Sequence, residues 1–124
     1  MSETDRDTLL QAVCEHLKDE VMPKLEGFDA FGVRVAANAL NIVQRELAMA
    51  DQLAQLEQEL ARYVDANNGE TTAVALAKRL RDRDLKVDDT LLTLLRRRTL
   101  ARIAVDNPKY SGYREAQRRW QGFK

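Results

Sequence analysis

The feature that most constrains this fold is residues 31–47, FGVRVAANALNIVQREL, a helix-length stretch without proline. At about 100° per residue, Phe31, Ile42, Val35, Ala39, Val43, Ala36, Leu47 and Leu40 fall within about half the circle. An apolar arc that wide predicts a helix contacted by several neighbours rather than one lying on a surface. Glu46 projects into the arc, and Arg34, Asn38, Asn41 and Arg45 run along its border. Polar groups are therefore expected to enter the core here.

The rest of the chain suits helices packed around that segment. It has 124 residues, enough for one domain with one core. An apolar fraction of 44%, a charged fraction of 32%, two prolines and five glycines fit a helix-rich globular protein. No strand-like alternation is visible. The expectation is an all-α, single-domain bundle of five to six helices around a central helix, spanning 1–124, with 108–124 as a docking tail.

No run approaches the roughly 18 consecutive apolar residues of a membrane helix. The start, MSETDRDTLL, is acidic and lacks the basic and apolar regions of a signal peptide. Cys14 is the single cysteine, so no internal disulfide can form. Together these predict a cytoplasmic protein.

The first helix is expected to run from residue 7 or 8 to 22, with Leu9, Leu10, Val13, Cys14, Leu17 and Val21 as its stripe. Asp7 or Thr8 would cap it, and Pro23 and Gly27 would end it. The central helix spans about 29–50, and a second amphipathic segment about 51–66. No glycine or proline separates them, so one bent helix and two helices both stay open. Asn67, Asn68 and Gly69 mark a stop. A short helix from 71 or 72 to 82 is predicted to bury Ala73, Leu76, Ala77 and Leu80. After a charged connector, Asp88 or Asp89 caps a helix over 90–106, and Asn107-Pro108 closes it. A last short helix is expected over 111–120.

The helix over 90–106 mirrors the central one. Leu91, Leu95, Leu92, Ile103 and Thr99 share a face, Arg102 projects between Leu91 and Leu95, and Asp106 lies close by. Arg98 and Arg96 flank the arc, whereas Arg97 turns towards water. A buried charge is tolerable when paired and very costly when not. Glu46 is thus predicted to pair with Arg102, with Arg34, Asn38, Arg45, Arg98, Asp106 and Asn107 around them. The bland reading is a satisfied network that sets helix register. The functional one is a polar pocket for an anion or an acyl thioester.

Other chemistry lacks a foundation. No glycine-rich phosphate loop, zinc-spaced Cys/His cluster or nucleophile elbow is present. Cys14 sits within an apolar stripe and His16 at its margin, which does not make a Cys–His nucleophile. A di-iron bundle needs Glu-x-x-His, and Val13 stands where that glutamate would be. No cofactor and no metal are expected. Charge is uneven: residues 1–77 hold 6 Lys/Arg against 14 Asp/Glu, giving −8, and 78–124 hold 14 against 6, giving +8. Arg96, Arg97, Arg98, Arg102, Arg114, Arg118 and Arg119 could meet phosphates, with Tyr113 and Trp120 stacking. Zero net charge counts against a dedicated nucleic-acid binder, and favours halves that pack on each other or on a second copy. Tyr110, Tyr113, Trp120 and Phe123 are expected to anchor the tail to the bundle or to another subunit.

Two stretches, AFGVRVAANALNIVQREL (30–47) and AVDNPKYSGY (104–113), resemble the signature segments of a small bacterial domain-of-unknown-function family. The opening LLQAVCEHLKDEVMPKLEG is similar to that family's N-terminal helix. The resemblance implies genes beside acyl-CoA dehydrogenases and aminoglycoside-phosphotransferase-like kinases, and so an accessory role in acyl-CoA or related carboxylic-acid metabolism. It brings no activity and no catalytic residues. Three expectations follow: an interaction protein docking on such a dehydrogenase or kinase, a small-ligand binder, or an enzyme using Glu46. The first is preferred because no catalytic constellation is visible.

Overall fold

The computed structural model describes residues 1–66 and 69–120. Over them the chain forms six α-helices and no strand, in agreement with the all-α reading. They fall into two compact units, the first up to residue 48 and the second from residue 49 onward.

In the first unit, α1 (Glu3–Glu15) starts earlier than expected. Ser2 is the cap, its Oγ accepting from the Asp5 N–H at 3.1 Å, and Glu3 and Asp5 meet the positive end of the helix. The acidic opening is thus a helix start, which makes Asp7 and Thr8 interior residues. His16–Val21 continue as a wide π turn and Met22–Lys24 as a 3₁₀ turn. Pro23 has no N–H to carry on the α ladder, and the Met22 N–H reaches back to the Leu17 carbonyl.

Gly27, at φ +60°, opens α2 (Gly27–Ala48), which packs back on α1 and the turns after it. Cys14 and Ala37 are the buried residues of this pair of helices. The Cys14 Sγ lies 3.4 Å from Gln44 Oε1, and Gln44 Nε2 donates to Gln11 Oε1 at 3.1 Å. Cys14 is therefore the buried small hydrophobe expected of it.

The face of α2 used within its unit is not the arc described above. It centres on Ala37, with Ala30, Val33, Leu40 and Gln44 around it, all partly or fully buried. Phe31, Val35 and Val43 lie roughly half a turn away and are 57%, 50% and 44% exposed. Apolar content alone does not decide which face of a helix packs. A close approach of two helices selects small side chains such as Ala37 and Cys14 instead.

In the second unit, α3 (Ala50–Tyr63) and α5 (Asp89–Asp106) pack antiparallel, α4 (Thr72–Arg81) covers α3, and α6 (Ser111–Arg119) covers α5. Residues 29–66 are thus two helices, parted at Met49, and Asp51 caps neither. Asp65, at φ +52°, takes the chain out of α3 before the predicted stop, of which Asn67 and Asn68 lie outside the described residues. Leu60, Val64, Ala75 and Leu91 form the core, with Leu76, Leu85, Leu94 and Leu95 against it. The short helix therefore buries Thr72 and Ala75, with Leu76 half-buried, while Ala73, Ala77 and Leu80 are exposed.

Candidate functional site

Helix α5 departs most from its sequence reading, and the site follows from that departure. Leu91, Leu94 and Leu95 pack in the cluster that holds Leu60 and Val64 of α3, while Leu100, half a turn round α5 from Leu91, is buried as well. Leu92 and Thr99, expected in the core, are exposed. A helix packed on two sides carries no single apolar stripe, so the arc around Leu91, Leu95 and Ile103 is only part of what it buries.

The arginine triplet shows the consequence. Arg96 stacks over the Trp120 ring, 5.1 Å from its centroid. Arg98 pairs with Glu57 of α3, Nε to Oε2 at 2.9 Å. Arg97, expected to face water, has a buried Nε that meets no acceptor among the described residues. A buried donor without a partner costs about 1–3 kcal/mol.

Arg97 lines a cavity of about 460 Å³ within the second unit. Such a volume falls in the range of small-molecule sites, roughly 300–1,000 Å³. Gln52, Gln55, Leu56 and Glu59 come from α3, one helical turn apart, with Met49 at the near end. Leu100, Ala101 and Ala104 come from α5, and the two alanines leave the space open. Tyr113 and Gln117 of α6 close it, joined by a hydrogen bond from Gln117 Nε2 to the Tyr113 hydroxyl at 2.9 Å. Gln55 Nε2 donates to Glu59 Oε1 at 3.3 Å.

At the other end of the α3–α5 pair, Asp88 does two jobs. Its Oδ1 caps α5 by accepting from the Leu91 N–H at 2.9 Å, and it accepts the Tyr63 hydroxyl at 2.5 Å. These hydrogen bonds, the Tyr63 one foremost, hold the Asp88 carboxyl below its ordinary value. The same bond to Asp88, followed by burial, pushes the Tyr63 hydroxyl up. The capping role was expected; the tyrosine was not.

The eight residues of the predicted polar network come four from each unit. Arg34, Asn38, Arg45 and Glu46 belong to the first unit, and Arg98, Arg102, Asp106 and Asn107 to the second. Arg34, Asn38 and Glu46 are exposed on α2. Arg102 is about half exposed and holds Asp106 of its own helix, Nη2 to Oδ1 at 3.0 Å. Asn107 closes α5, its N–H donating to the Ile103 carbonyl at 2.8 Å. None of the eight lines the cavity. Phe123, among the predicted tail anchors, lies outside the described residues.

A sequence profile for a domain of unknown function, DUF6285, matches residues 23–110. The chain belongs to the DUF6285 family. The match takes in α2 to α5 and the stretch 30–47 on which the resemblance rested, and it leaves out α1 and α6. Tyr113 and Gln117 therefore close the cavity from outside the DUF6285 segment. Neither a curated protein nor a solved structure matches the chain. Among the described residues no helix is long and apolar enough to cross a membrane, and no group of His, Cys, Asp and Glu is placed to hold a metal ion.

Proposed function

We propose that this chain is an accessory protein that docks on a protein partner through the outer face of α2, the partner being the acyl-CoA dehydrogenase that the family resemblance implies. The observation carrying this reading is the exposure of Phe28 (86%), Phe31 (57%), Val35 (50%) and Val43 (44%), spaced at helical intervals on one side of α2. The stripe is about 22 Å long at 1.5 Å per residue. Its four side chains offer on the order of 400 Å² of apolar surface, as much as the largest patch on a typical monomer. That is about half of what one partner contributes to a standard interface of roughly 800 Å² per side. The fit is to an accessory subunit that also uses neighbouring polar surface.

Co-expression with the dehydrogenase and purification through a tag on this chain tests the reading. The expected result is a stable complex that Phe31→Asp with Val35→Asp abolishes while far-UV helicity is kept. A chain that purifies alone, or only as a dimer of itself through the same stripe, would overturn it. A complex with the kinase instead would overturn the choice of dehydrogenase.

A further inference from the structure

We propose that the cavity bounded by α3, α5 and α6 binds a small organic acid with an apolar tail and a hydrogen-bond donor beside its carboxylate, as in an α-amino or α-hydroxy acid. The carboxylate end is set by Arg97. Arg97 lines the cavity and its buried Nε meets no acceptor among the described residues, whereas its neighbours Arg96 and Arg98 are engaged by Trp120 and Glu57. A small rotation of the planar fork presents Nε and a terminal N–H side by side to one carboxylate.

The second head group is set by Glu59. The antiparallel pairing joins Tyr63 to Asp88 and Glu57 to Arg98, which brings Glu59 and Arg97 to the same level of the α3–α5 pair. No ion pair joins them. Glu59 takes one bond from Gln55 at Oε1, and its other oxygen is left to accept from an ammonium or a hydroxyl. A plain anion would meet Glu59 as a like charge, so the site favours a head that carries both an acid and a donor. The tail direction follows from Leu56, Leu100, Ala101 and Ala104, which line the wall leading to Met49. Two alanines in that wall make room for a branched aliphatic chain. The Tyr113 hydroxyl accepts from Gln117 and keeps its own proton to donate to the ligand.

Titration calorimetry on the whole chain tests this with L-leucine, 2-hydroxy-4-methylpentanoate, 4-methylpentanoate, 3-methylbutylamine and inorganic phosphate. The amino or the hydroxy acid is expected to bind about tenfold or more tightly than the acid without the donor, and the amine not at all. Whichever of the two binds more tightly identifies the donor. Arg97→Leu should lose about tenfold or more in affinity while its melting temperature holds or rises, because an unpaired buried donor is removed. Glu59→Gln should narrow the gap between the amino acid and 4-methylpentanoate. No binding by any acid at about 1 mM, equal binding by phosphate, or an unchanged Arg97→Leu would each overturn the proposal.

Discussion

Asp88 and Tyr63 show how much one carboxylate can organise. With the Asp88 carboxyl held down by the Tyr63 hydroxyl and the Leu91 N–H, its stabilising effect is present above the unfolded carboxylate value, about 3.9. That effect is lost as pH falls through the lower folded value. For Tyr63 the sign is reversed: its hydroxyl is held up, so its share is present below about 10 and lost as pH rises through the folded value. Tyr63→Phe should therefore lower the melting temperature at neutral pH, and the gap from the native chain should close as the solution is acidified below the folded Asp88 value. Asp88→Ala should do more harm than Tyr63→Phe, because it removes the α5 cap as well. A thermal melt series from pH 2 to 8 reads both, and a gap independent of pH would contradict the Tyr63–Asp88 bond as its source.

At the scale of elements, stability concentrates where α3 meets α5. Leu60 and Leu91 are 0% and 1% exposed in one cluster, so truncating either to alanine should cost about 2–5 kcal/mol in denaturant unfolding. Phe31→Ala on the outer face of α2, 57% exposed, should change stability by no more than about 0.5 kcal/mol. The sequence made the helices themselves readable, because Thr71 and Asp88 are good caps and Asn107-Pro108 a good stop, whereas α3 ends at Tyr63, ahead of the stop expected at Gly69. It was less informative about which faces meet. Ala37 and Ala75 are core residues because they let backbones approach, and a ranking by hydrophobicity overlooks them. Arg97 points away from the apolar arc of α5, and the helix that covers it there, α6, is itself strongly polar and gives no apolar signal in the sequence.

For the whole molecule, the charge imbalance along the sequence is partly consumed inside the second unit. Residues 49–77 hold one Lys/Arg against five Asp/Glu, and among the described residues ion pairs join them to residues beyond 77: Glu57 with Arg98, Glu70 with Lys78, and Asp65 with Arg79. These exposed pairs contribute little individually, roughly 0–1 kcal/mol each, but they favour the observed pairing of segments over others. The two units also differ in burial. Among the described residues the first buries Cys14 and Ala37, whereas the second buries nine, including Leu60, Val64, Leu91 and Val105. Amide exchange should accordingly be slowest in α3 and α5 and faster in α1 and α2 by about an order of magnitude or more. Equal protection in the two units would contradict this.

The two opposite sides of α2 have a consequence for which substitutions the chain can bear. The side holding Ala37 and Gln44 should reject larger residues in any assay that scores folding. The side holding Phe31, Val35 and Val43 should accept polar residues in that assay. The proposed docking predicts that a second screen that scores growth, with the partner's pathway required, makes the outer stripe intolerant as well. Subtracting one map from the other would isolate the residues selected for association alone, read out one position at a time along a single helix.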